Sequence, residues 1–163
     1  MEKKNELSVQ KCIKEVASHF TGCHYCFANW ALLNTILDDI EEDKPTICYI
    51  LPPSGSFTIS RGATLFSDKP YTQIAFLVNT EHDFDGEEND EKVEMMKRLA
   101  KMFIMQLNQS GYFDFIDGEE IVYQVPYDTT DDNVTGVLIT LPIVQESQLL
   151  CKIPDEFGYV ENV

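Results

Sequence analysis

The stretch "NTEHDFDGEEND", residues 79–90, packs six acidic residues, one histidine and one glycine into twelve positions. Carboxylates this dense could hold a cation or perform general acid–base work. A calcium loop of the EF-hand type needs acidic or amide ligands at its first, third and fifth positions, glycine at the sixth and glutamate at the twelfth. Placing Gly86 sixth puts Glu81, Asp83 and Asp85 at the three ligand positions, but the twelfth is then Lys92. A cation stands where the bidentate carboxylate belongs, so Glu81, Asp83 and Asp85 are weak metal candidates. The same residues read better as the acidic entrance to a helix. Asn89 or Asp90 would cap it, and Glu87, Glu88 and Glu91 would lie near the positive end of its dipole, worth roughly 0.3–1 kcal/mol each. Phe84 would dock back on the core. Acid–base catalysis would further require a raised pKa and a pocket, so a metal-dependent hydrolase using the 81–91 carboxylates is the remote alternative.

A second cluster, "HFTGCHYC", brings His19, Cys23, His24 and Cys26 within eight residues. Two sulfurs and two imidazoles suggest zinc, yet a structural site usually joins two separated half-sites. A redox Cys-x-x-Cys would follow a strand and open a helix, whereas a helical pattern precedes this one. The bland reading, thiols at a helix cap, is preferred. Ser54-Gly55-Ser56 lacks the Gly-x-Ser-x-Gly elbow, and the chain contains neither Gly-x-Gly-x-x-Gly nor a Gly-Lys-Ser/Thr phosphate loop. No catalytic residue, cofactor or small-molecule substrate is therefore expected, and the chain reads as a non-enzyme.

The residues around these clusters set the scale. The chain has 163 residues, 28 acidic against 12 basic, for a net charge of −16. Nucleic-acid binders need a basic footprint, so sequence-specific binding is not expected; an acidic wall that DNA slides past is compatible. No apolar run reaches membrane-spanning length, and "MEKKNELSVQKC" has no apolar signal core. Five cysteines without a scaffold spacing suit reduced thiols.

Apolar periodicity predicts the elements that must position these side chains. A first amphipathic helix covers 7–20 and ends at Thr21-Gly22; a second runs from Tyr25 to about Leu37. "PTICYILPP" and "FTISRGATL" read as strands, and "YTQIAFLVN" (71–79) as a central strand apolar on both faces. The clearest helix spans 90–108, with Val93, Met96, Ala100, Phe103, Ile104 and Leu107 on one face, Met95, Leu99 and Met102 widening it, and Gly111 as its C-terminal cap. "YFDFI", "EIVYQVPY" and "NVTGVLITLPIV" follow as strands, with a hairpin turn at Asp117-Gly118. The expected fold is α+β: a single mainly antiparallel sheet with two or three helices packed on it, in one domain over 1–147. Residues 1–44 would be its helical part and 45–147 its sheet, followed by an extended C-terminal arm over 148–163.

Several of these segments together resemble small proteins of the tailed-bacteriophage neck, the tail-completion and tail-terminator-like or head–tail connector group. The resemblance rests on Phe84-Asp85-Gly86, on Leu107-Asn108-x-Ser110-Gly111, on Tyr123-Gln124-Val125, on Asn133-x-Thr135-Gly136-Val137 and on the upstream "PTICYILPPSGSF". It implies a structural virion subunit, made in the bacterial host cytoplasm, that forms a homo-oligomeric ring with portal, adaptor and tail proteins around passing DNA. It implies no cofactor and no active site. Expected partner contacts are Phe84, Asp85, Glu87 and Glu88 in the acidic loop, and Leu149, Leu150, Ile153, Phe157 and Tyr159 in the arm. The alternative is an acidic intracellular interaction module, an adaptor or a DNA-mimicking inhibitor.

Overall fold

The apolar run at 71–79 forms the middle strand of a five-stranded sheet, and its composition explains why. Ile74, Ala75, Phe76, Leu77 and Val78 are all buried, which requires cover on both faces. The computed structural model describes residues 7–29, 31–33, 44–62, 65–80, 85–126, 134–148 and 158. In chain order these form α1 (Val9–Ser18), β1 (His24–Ala28), β2 (Thr46–Ile50), β3 (Gly55–Ser60), β4 (Leu65–Pro70), β5 (Thr72–Asn79), α2 (Gly86–Ser110), β6 (Tyr123–Gln124), β7 (Val134–Leu141) and β8 (Gln145–Gln148). Residues 31–33 are also helical.

The α+β class is the expected one, but the strands divide into two sheets. The larger has the order β1-β2-β5-β7-β6 and the smaller β3-β4-β8. All pairings are antiparallel except β1 with β2. On one face of the large sheet, Ile47, Tyr49, Ile74, Phe76, Val137 and Ile139 meet Ile13, Val16 and Ala17 of α1 and Met96, Ala100, Phe103 and Leu107 of α2. Phe103 is the hub, with Phe20 and Phe76 ring centroids each 5.6 Å away. The opposite face gathers Cys48, Ile50, Ala75, Leu77, Val134 and Leu138 with Ala28 and Leu33.

Tyr25–Ala28 is the first departure from the expected helix. Pairing with the buried strand β2 wins, because Tyr, Cys and Phe favour a pleated, half-buried surface. The pairing is bracketed by His24 N–H donating to Pro45 O (2.8 Å) and Leu51 N–H donating to Ala28 O (3.0 Å). Helix begins only after Asn29, whose side-chain oxygen accepts from Leu32 N–H at 2.9 Å as an N-cap. Residues 1–44 are thus not wholly helical. A second departure lies in "FTISRGATL", where β3 stops at Ser60. Arg61 and Gly62 both have positive φ (51° and 69°) and turn the chain back into β4, so β3 and β4 form a hairpin.

The helix expected over 90–108 runs four residues earlier and two later, as Gly86–Ser110. Gly111 does cap it in the left-handed region, at φ 72°. "YFDFI" is not a strand. The Asn108 side chain takes both backbone groups of Ile116: its Nδ2 donates to Ile116 O (3.0 Å) and its Oδ1 accepts from Ile116 N–H (2.8 Å). An amide side chain does here what a neighbouring strand would have done, so Gly118 joins no hairpin. "NVTGVLITLPIV" breaks at Pro142, after which Gln145–Gln148 crosses to the small sheet. The arm expected from 148 lies, apart from Gln148 and Gly158, outside the described residues.

Candidate interaction surface

Asp85 closes the question raised by the acidic stretch. Its backbone is extended, and its carboxylate accepts from Glu87 N–H (3.0 Å) and Glu88 N–H (3.3 Å). It is the N-cap, four or five residues ahead of the expected Asn89 or Asp90, and its Oδ1 serves the helix. Glu87 and Glu88 lie in the first turn, where the dipole favours them; Glu91 falls beyond it. Lys92, the residue that broke the calcium pattern, donates to Asn79 O at 2.6 Å and pairs with Glu88 at 2.8 Å, tying the helix to the end of β5. Glu81, Asp83 and Phe84 lie outside the described residues. Among the described residues, no three His, Cys, Asp or Glu side chains converge on a possible metal position.

The second cluster is dispersed by the fold. His19 is the C-cap of α1, Cys23 lies in the following turn, and His24 and Cys26 sit on β1. Burial pushes the Cys12 and Cys23 thiols up. Cys26 is instead set directly opposite Cys48 of β2. The half-buried Tyr25 and the buried Tyr49 are both pushed up to about 12, chiefly by desolvation.

Two open grooves lie among the described residues. One, of ≈ 330 Å³, lies between α1 and the end of α2 and is lined by Glu15, His19, Gln106, Gln109 and Tyr112 among others. The other, of ≈ 490 Å³, lies beside β6, between Tyr71, Glu120, Val122 and Gln124. Both are shallow and solvent-facing, and the described side chains bring no nucleophile onto a base in either.

What stands out is apolar surface left open at sheet edges. All six residues of β3 are exposed. Among the described strands it pairs only with β4, which makes it an edge of the small sheet, the kind of strand on which another can add. Phe57 and Ile59 project from the same face of β3 and are 74% and 58% exposed. The large sheet ends at β6, two residues long, where Val122, Tyr123 and Val125 are exposed; the Lys97 ammonium lies 4.6 Å over the Tyr123 ring. No family model matches the chain, and no curated protein matches it in sequence.

On α2, Met96 is buried as expected, but Met95, Met102 and Met105 are exposed, so Met95 and Met102 do not widen the core stripe. Of the expected partner contacts, Asp85, Glu87 and Glu88 are placed at the α2 N-terminus, while Phe84, Leu149, Leu150, Ile153, Phe157 and Tyr159 lie outside the described residues. The open edges were not anticipated. The Phe57/Ile59 alternation gave the strand, and Gly62 could have given the turn. Alternation alone cannot say whether the apolar face finds a cover.

Proposed function

We propose that this chain is a structural virion protein, a ring-forming subunit of the phage neck or tail that joins portal or adaptor to tail around the DNA channel. The observation that carries the reading is the open β3 edge with its exposed Phe57 and Ile59. A sheet edge with apolar side chains on one face and free main-chain groups is a template for pairing with another chain. A second open apolar edge, at β6, lies at the end of the other sheet. Two different edges make a heterologous, head-to-tail contact, and such contacts close into rings when the rotation per subunit allows. A two-fold dimer would instead use one patch twice.

The charge of −16 supports passage of DNA without adhesion, since like charge repels the phosphates. Size-exclusion chromatography with light scattering, followed by negative-stain imaging, tests the reading. The expected result is a closed ring with a central channel at high protein concentration. A chain that stays monomeric at every concentration, alone and with portal and tail proteins, favours the acidic interaction module instead.

A further inference from the structure

The sequence sets Cys26 beside Cys23, but the fold sets it beside Cys48. β1 and β2 run parallel with Cys26 and Cys48 in direct register, so both side chains leave the same face of the sheet. Adjacent strands lie about 4.7–4.9 Å apart, inside the Cα separation that a disulfide spans. Both thiols are free. They differ in access: Cys48 is fully buried, and Cys26, on the edge strand, is half-buried. They also differ in proton affinity. The Cys48 thiol donates to Tyr49 O (3.9 Å), and the interaction between the two thiols lowers the Cys26 pKa and raises that of Cys48.

We propose that Cys26 and Cys48 form a redox-responsive dithiol, a site of reversible disulfide formation under hydroperoxide. The half-exposed Cys26 thiolate reacts first. Its sulfur attacks the peroxide, an S–O bond forms, the O–O bond breaks, and hydroxide leaves as water with the Cys26 proton. The Cys48 sulfur then attacks the Cys26 sulfenic acid; the S–S bond forms, the S–O bond breaks, and a second water leaves with the Cys48 proton. Two electrons pass from the two thiols to the peroxide. The bond closes the chain over the connection between β1 and β2 and fastens the edge strand to the sheet. Of the other described thiols, Cys12 lies in α1 and the Cys23 pKa is raised by burial; Cys151 lies outside the described residues. The assignment is independent of the assembly role.

The test treats the full chain with hydrogen peroxide and weighs it intact, with Cys23→Ser as a control. Disulfide formation removes two hydrogens, and dithiothreitol restores them. A glutamate-specific protease cuts at Glu41 and Glu42, between the two cysteines, so the bond holds two peptides together until reduction. The expected result is a Cys26–Cys48 link in the wild type and in Cys23→Ser, absent in Cys26→Ser, with a reducible rise in thermal midpoint. The native chain carries the test even if substitution at the buried Cys48 impairs folding. Oxidation that stops as sulfenic or sulfinic acid on Cys26, or a link joining another pair, overturns the proposal.

Discussion

The two sheets differ in composition and in cover: the middle strands of the large sheet are almost wholly apolar, whereas the strands of the small sheet are mostly polar. β5 in the large sheet is buried on both faces by helices and neighbouring strands. β3 in the small sheet, with its own apolar pair Phe57 and Ile59, is exposed on both faces. A continuous apolar run makes β5 and apolar alternation makes β3; cover then separates the buried strand from the exposed one. The apolar side chains of β5 are covered within this chain, whereas Phe57 and Ile59 of β3 stay exposed.

This contrast is broken most severely at Gly136. Its φ is 154°, and a Cβ there would overlap the Phe76 carbonyl oxygen of β5. Gly136→Ala is expected to cost at least about 4 kcal/mol, in the class of the largest single-site losses, read by urea unfolding or by loss of soluble protein. Phe103→Ala, which empties the hub of the helical face, should cost about 3–5 kcal/mol in the same assay. Asn108→Ala leaves the Ile116 backbone without its side-chain partners and should cost about 1–3 kcal/mol, with faster amide exchange at Ile116. Asp85→Ala removes the α2 N-cap for about 1 kcal/mol, seen as fraying of the first turn by amide exchange. Asp85→Asn should restore most of that loss, because an amide oxygen also caps.

The middle strands of the large sheet, β2, β5 and β7, were legible because they are apolar on two faces, and "YTQIAFLVN" announces a central position without help from context. Gly111 was legible because a left-handed C-cap demands glycine. What escaped depended on partners distant in sequence. Tyr25–Ala28 carries apolar residues at both helical and strand spacing, and the choice was made by β2, some twenty residues on. "YFDFI" has strand composition, but Asn108 satisfies its backbone instead. The acidic stretch resolved only in part from composition: Lys92 excluded the calcium loop, while the cap fell on Asp85 rather than Asn89. The pairing of Cys26 with Cys48 was invisible, since it depends on a parallel register that no local spacing encodes.

In the proposed ring, β3 and β6 are the two halves of one head-to-tail interface. Sedimentation velocity on two double variants tests it most directly, Phe57→Asp with Ile59→Asp on β3 and Val122→Asp with Val125→Asp on β6. All four side chains are exposed, so each variant should keep its circular dichroism and lie within about 0.5 kcal/mol of wild-type stability per site. Each variant alone should remain monomeric at concentrations where the wild type forms rings. Their equimolar mixture retains one intact β3–β6 contact and should sediment as a heterodimer that grows no further. Rings formed by either variant alone, or a mixture that stays wholly monomeric while the wild type assembles, would contradict the account.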